Sequence, residues 1–388
     1  MTRTDIYDPH LTGEITIPSI SQIEAVTVSL PFVTPFSISS YTWDCKEALL
    51  IRIDSGEFSG WGECVADPDP FYSPETTTSC LHIIKEFIVP LIREGKSFTD
   101  FLREMDHIRG NKMAKAAIEN ALLDLIARMR EVPLHALLGL EKKMIMSGIS
   151  IGIKDTVDEL LDSVAEAVEK RYHRVKMKIK RGKDVEWVAA VRERFPFIQL
   201  MADANGDYSI NDINHLKELD VFNLLMIEQP LSYSDIYFHS KLQKEIDTPV
   251  CLDESIHSLD DAITAVELGS CRIINIKEGR VGGIIEALRI ANYAQSRGIP
   301  VWSGGMDETG IGRAFNIHLQ TAPAFTIPGD TSETLRYFKE DIVSPIVTLD
   351  DEGFISIPEG SGTGVRIETD KLKKYTLRSE NLTGLLKK

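Results

Sequence analysis

The spacing of apolar and polar positions changes twice along the chain. From Ile23 to Ile53 apolar residues fall in strand-length runs, IEAVTVSL and EALLIRID, on either side of the Pro/Ser/Thr-rich stretch PFVTPFSISSYTW. A hairpin turn bracketed by Gly56 and Gly60 leads into a third strand that Trp61-Gly62-Glu63-Cys64 closes. Asp67-Pro68-Asp69-Pro70-Phe71-Tyr72-Ser73 cannot be regular, because two prolines interrupt it. Between Pro74 and Arg130 the period becomes helical, with Ala116, Ile118, Ala121, Leu122, Leu125 and Ile126 on one stripe. Strands followed by helices predict an α+β capping domain over residues 23–143. Residues 1–22 carry no periodic pattern up to about Ser21 and are expected to form a loose arm or an oligomer contact.

At Met144 the pattern switches again. MIMSGISIGI, RVKMKI, FIQLMAD, LLMIEQP, PVCLDES, RIINIK, PVWSGG and AFTIPGD are eight short apolar runs, and polar, helix-like segments separate them. Eight strand–helix units predict an α/β fold, a closed (β/α)8 TIM barrel over residues 144–350. Residues 351–388 return to short polar strands and turns and are expected to pack back on the capping domain.

Ionisable residues sit at the ends of these runs at a steady interval. The steps Lys178 to Asp203, Asp203 to Glu228 and Glu228 to Asp253 are each 25 residues, and Asp253 to Lys277 is 24. Strand ends of one barrel face converge, so these five groups are expected to share a site. Lys176 and Lys178 are two apart and share a strand face, with Val175, Met177 and Ile179 on the other, toward the helices. Two ammonium groups side by side repel, which is expected to lower the pKa of at least one. A lone lysine run would default to an exposed edge strand, and a lone strand-end carboxylate to a helix cap. Three carboxylates in register repel one another unless a cation lies between them, and hard oxygen ligands suit Mg²⁺. Lys277, on the sixth strand, falls across the barrel from the second. A base on one side, a cation between and a lysine opposite is an arrangement for taking a proton from carbon next to a carboxylate. Gly279-Arg280-Val281-Gly282-Gly283 lacks the GxGxxG spacing of a dinucleotide loop and reads as a tight turn near the substrate.

Composition narrows the partners. With 43 Lys and Arg against 59 Asp and Glu, the net charge is −16, which argues against nucleic acid or an anionic membrane surface. The five cysteines are scattered without a CxxC pair, so no disulfide framework or zinc site is expected. The polar start MTRTDIYDPHLTGE has no signal-peptide pattern, and a cytoplasmic protein is expected. The expected partner is a small carboxylate substrate, and the chain is expected to form a homo-oligomer.

Taken together, GWGECVADPDPFYS, AKAAIENALLDLIAR, the Lys-x-Lys pair, MADAN, IEQPL, CLDES, NIKEGRVGG, WSGGMDETGIGRA and PGDTSE resemble the enolase superfamily. Within it the resemblance is to the muconate-lactonising branch, in the o-succinylbenzoate synthase/N-succinylamino acid racemase group, from about Ile23 to Tyr375. The resemblance implies an enolase-like modified barrel in which Lys178 is the base, Lys176 tunes it, and Lys277 is the opposing acid/base or steadying cation. It implies that Asp203, Glu228 and Asp253 bind Mg²⁺, with Mn²⁺ able to substitute. Asn205 and Glu254 would orient ligands, while Ser150, Gly304, Gly305, Met306, Phe36 and Tyr72 would meet the substrate, the loops around Phe36 and Tyr72 acting as a lid. The implied reaction is an enediolate-forming dehydration to o-succinylbenzoate, racemisation of N-succinyl or other N-acyl amino acids, or both.

Two residues depart from that group: Asp307 stands where leucine is usual, and Ser303 where many members have cysteine. A carboxylate at Asp307 would repel a succinyl group if it faced the pocket. The alternatives are a dipeptide epimerase or cycloisomerase of the same branch, and a non-catalytic metal-binding barrel. A sugar-acid dehydratase ranks below these, since Lys277 replaces the histidine such enzymes usually carry.

Overall fold

The alternating run after Ser21 forms β1 (Gln22–Ser37), which pairs antiparallel with β2 (Thr42–Ser55), and β2 pairs with β3 (Phe58–Cys64). The computed structural model describes residues 8–11, 13–37 and 42–386, with 36 and 37 as backbone alone; residues 1–7 and 12 of the expected arm lie outside it. The strand Thr376–Asn381, near the end of the chain, adds to the free edge of β1, so one sheet carries both ends of the sequence.

Three helices follow the first strands. Thr76 and Ser79 form a reciprocal cap at the start of α1 (Thr77–Ile83), and the Ser97 hydroxyl caps α2 (Phe98–Met105). The start of α3 (Lys112–Met129) is closed from a distance: the Glu75 carboxylate accepts from the backbone N–H of Lys112 at 2.7 Å and of Met113 at 3.0 Å.

The turn between β2 and β3 is shorter than the glycine pair suggests. Gly56 occupies it at φ +58°, whereas Gly60 lies inside β3. Gly60 serves packing. A Cβ there would stand 2.2 Å from the Ala121 carbonyl oxygen, and one on Gly62 would stand 2.1 Å from that of Ala117. The two glycines therefore let α3 lie directly on β3. A Gly62→Ala variant must push backbone from backbone, and we expect a loss of about 1–3 kcal/mol, read from the midpoint of urea unfolding. The close contact also corrects the expectation of a single buried stripe. Every residue from Met113 to Ala127 is buried, because β3 covers one side of α3 and the short barrel helix Glu278–Val281 another.

The run from Met144 splits in two. β4 (Ile145–Met146) pairs with Phe354–Ile355, and β5 (Gly148–Ile151) starts the parallel sheet. That sheet continues in sequence order through β6 (Arg174–Lys178), β7 (Leu200–Asp203), β8 (Ile227–Glu228), β9 (Val250–Leu252), β10 (Ile273–Ile276) and β11 (Val301–Ser303). Seven strands are found among the described residues where eight were expected. The eighth run, AFTIPGD, closes the ring by single parallel bridges, Phe325 to Val301 and Gly329 to Ser147. Pro328 lies between those two contacts and has no N–H to offer a ladder. Among the described residues no helix is long and apolar enough to cross a membrane.

The contact between α3 and the barrel contains buried acids. The Glu278 carboxylate accepts from Asn120 Nδ2 at 2.9 Å, and Glu119 accepts from the Ile285 N–H at 2.9 Å. Burial pushes each of these carboxyl groups up to about 8. The folded chain therefore holds protons that the unfolded chain releases near pH 4.5, and stability should fall as pH rises from there to about 8. Glu278→Gln removes one of the two protons from this linkage. Its thermal midpoint should decline less between pH 5.5 and 8 than that of the unaltered protein.

Candidate active site

The ladder explains how the ionisable residues meet. Lys178 lies opposite Asp203 and Asp203 opposite Glu228, so the 25-residue interval equals one step around the barrel. On the next strand the register differs. Glu228 faces Cys251, and Asp253 projects two residues further, which keeps it on the same face. Lys277 follows β10 and begins the turn into the helix Glu278–Val281.

Lys176, Lys178, Lys277, Asn205, Tyr72, Ser150, Gly305 and Met306 all line one cavity. Lys178 Nζ donates to Asp203 Oδ2 at 2.6 Å and to Asn205 Oδ1 at 2.7 Å. Asn205 in turn donates to Glu254 Oε1 at 2.8 Å, so one amide links the lysine to the next carboxylate. Lys277 Nζ stands 2.9 Å from Asp253 Oδ2 and donates to the Tyr72 hydroxyl at 2.6 Å. Gly304 admits this packing: a Cβ on it would stand 2.5 Å from Asn275 Oδ1 and 2.8 Å from Lys277 Cε. Ser150 is buried, and its hydroxyl has no hydrogen-bond partner in the protein. Of the expected lid, Tyr72 reaches the cavity while Phe71 is exposed. The Phe36 side chain lies outside the described residues, although its backbone pairs with Trp43.

Lys176 differs from the expectation of a depressed pKa. Burial opposes its charge, yet Asp330 at 2.7 Å, Glu228 at 3.1 Å and Asp203 at 3.3 Å outweigh that and hold its pKa well above the ordinary lysine value. Burial likewise opposes the Lys277 charge, and Asp253 outweighs it and raises its pKa. Both lysines of the Lys-x-Lys pair reach the same carboxylate oxygen, Asp203 Oδ2, Lys176 at 3.3 Å and Lys178 at 2.6 Å. Asp330, Arg174 and Arg280 were missed in the sequence. Arg280 pairs with Asp253, and Asp330 bridges Arg174 and Lys176. The signal for Asp330 was its place at the end of the eighth apolar run.

The same groups bear on a divalent cation. Asp203, Glu228 and Asp253 are each no more than 1% exposed. Burial, then the charge of Asp203, pushes the Glu228 carboxyl well above the usual range even with Lys176 beside it. Burial and Asp253 push Glu254 to about 7, and its Oε2 is buried without a hydrogen-bond partner. An oxygen-rich set, with a Glu254 oxygen left unpaired, fits a hard divalent cation. The side chains are not gathered into a ready-made cluster: no group of three or more Asp, Glu, His or Cys is so arranged among the described residues. Their carboxylates turn instead toward Lys176, Lys178, Lys277 and Arg280.

Known proteins share this arrangement of chain and fold. Residues 22–139 match the family described as Mandelate racemase / muconate lactonizing enzyme, N-terminal domain, and residues 159–371 match Enolase C-terminal domain-like. The chain is 43% identical to an o-succinylbenzoate synthase of Bacillus subtilis, over 93% of this chain and 99% of that one. It is 42% identical to an N-succinylamino acid racemase of an Amycolatopsis species, over 92% and 97% of the two chains. A crystal structure of an enolase superfamily member from Listeria innocua superposes with a TM-score of 0.90 at 41% identity, covering 95% of this chain and 99% of that one. Enzymes of this superfamily generally use Mg²⁺. By its two matched domains, its full-length relatives and its capped barrel, the chain belongs to the enolase superfamily.

Proposed function

We propose that this protein removes the proton on the carbon next to a substrate carboxylate, with Lys178 as base and Lys277 as its counterpart. The observation that carries this reading is that Lys178 and Lys277 both line one cavity, each tied to a different strand-end carboxylate. The proposed reactions are dehydration to o-succinylbenzoate and racemisation of N-succinyl or other N-acyl amino acids, after the relatives at 42–43% identity.

Each step follows from a named side chain. Lys178 is hydrogen-bonded to two oxygens, Asp203 Oδ2 and Asn205 Oδ1, which fixes where its Nζ can meet a substrate proton. Lys277 is kept charged by Asp253, so it can deliver a proton to the other face in a racemisation or stand as a cation beside the anion in a dehydration. Lys176 is bound to three carboxylates and holds their positions at the cavity wall. Asp203, Glu228 and Asp253 would hold Mg²⁺, or Mn²⁺ in its place, oriented by Asn205 and Glu254. That cation, when bound, would stabilise the second negative charge that develops on the substrate carboxylate.

The test is exchange in ²H₂O. With Mg²⁺ present, N-succinyl-L-phenylalanine should take deuterium at its α-carbon and appear as both enantiomers, and the cyclohexadiene precursor should yield o-succinylbenzoate. Chelation of the metal should stop both. If neither substrate reacts under saturating Mg²⁺, the reading is wrong.

A further inference from the structure

The same cavity has a second charged wall that proton transfer does not use. Lys46, Asp67 and Asp307 line it, beside Phe32, Trp43 and Tyr337. Lys46 is only 3% exposed and donates to Asp67 Oδ1 at 2.9 Å and to the Val65 carbonyl at 3.1 Å, so its charge is already matched by Asp67. Arg313 is occupied too, donating to the carbonyls of Glu308 and Ser332 and lying over the Tyr337 ring. Glu308 Oε1 accepts from the Met306 N–H and from Asn316. Asp307 is the remainder. It lines the cavity, and among the described residues its carboxylate makes no hydrogen bond or ion pair, although the Lys46 and Arg313 charges act on it from a distance. Its backbone is held at φ +55°, a conformation uncommon outside glycine, and such outliers gather at ligand sites.

A buried-edge carboxylate without a partner is stabilised by whatever donates to it. Aromatic faces beside it favour a cationic or polarised N–H group. A second carboxylate would meet the Asp307 charge, since the nearby Lys46 charge is matched by Asp67 and Arg313 is turned to backbone carbonyls. Resting on the proposed reaction, we propose that Asp307 is a specificity residue: it selects substrates whose group at this wall ends in a nitrogen donor, an ammonium or a carboxamide, over those ending in a carboxylate. The donor has two possible sources, the acyl chain or the amino-acid side chain, and both present the same N–H chemistry to Asp307.

The test compares the Mg²⁺-loaded protein with Asp307→Asn and Asp307→Leu on four compounds. N-succinyl-L-phenylalanine ends in a carboxylate; its succinamyl and 4-aminobutyryl counterparts carry the donor on the acyl chain; N-succinyl-L-lysine carries it on the side chain. Exchange of the α-proton in ²H₂O is read beside equilibrium binding. At least one donor-ended compound should exceed N-succinyl-L-phenylalanine by about tenfold in kcat/KM and in affinity, and Asp307→Leu should erase that ratio. Which compound gains tells the acyl source from the side-chain source. Equal treatment of all four by the unaltered protein, or a ratio that Asp307→Leu leaves in place, overturns the proposal. Binding that discriminates without any exchange upholds the subsite and overturns the proton-transfer reading instead.

Discussion

Replacing Lys178 by alanine is expected to lower kcat for α-proton exchange by about 10²–10⁴-fold while substrate still binds. The reason lies in the contacts of the three lysines. Lys176 is held by Asp330, Glu228 and Asp203, and Lys277 by Asp253 and Tyr72, so neither can swing into the place that Asp203 and Asn205 define for Lys178. Removal of the amine leaves the cavity wall otherwise intact, because Val175, Met177 and Ile179 pack on the opposite face of the strand. The loss should therefore fall on kcat more than on KM. A drop confined to KM would mean that Lys178 binds substrate and does not move the proton.

Asp330→Asn is expected to destabilise the protein by about 3–5 kcal/mol. Asp330 accepts from Arg174 Nη2 at 2.5 Å and from Lys176 Nζ at 2.7 Å, and Arg174 is wholly buried. When that charge is lost Arg174 keeps the Pro328 carbonyl at 2.9 Å, Met201 Sδ at 3.1 Å and the face of Trp302 4.7 Å away, none of them a negative charge. Burial opposes the Asp330 charge, but Lys176 and Arg174 outweigh it and hold the carboxyl well below the usual range. With the folded pKa below the unfolded one, this contribution is complete above the ordinary carboxylate value of 3.8 and is lost as pH falls toward the folded value. Urea unfolding at neutral pH should show the full loss in Asp330→Asn. The difference between the two proteins should shrink below about pH 4.

How far the sequence reveals this site depends on whether local pattern or long-range closure places each residue. The 25-residue interval from Lys178 to Glu228 is legible because those strands pair in step, and the two-residue offset at Asp253 is harmless because strand faces alternate with period two. Asp330 was not legible as a partner of Lys176, since the two meet only when the run containing Pro328 bridges the first and seventh strands. α3 misled for a similar reason. Its apolar stripe is real, but Gly60 and Gly62 bring β3 so close that its polar residues are enclosed as well. Lys46 carries no local signal of burial and is one of the most buried cations, because the Val65 carbonyl and Asp67 fold over it. Asp307 was recognised as unusual, and the structure adds that it faces the cavity.

The central claim is that Lys178 and Lys277 act on opposite faces of one carbon, and single-enantiomer exchange with Lys277→Ala tests it most directly. In ²H₂O with Mg²⁺, this variant should exchange the α-proton of the one N-succinyl-phenylalanine enantiomer that presents it to Lys178, with no inversion, and leave the other untouched. Inversion at the unaltered rate, or equal exchange of both enantiomers, would contradict the two-lysine account.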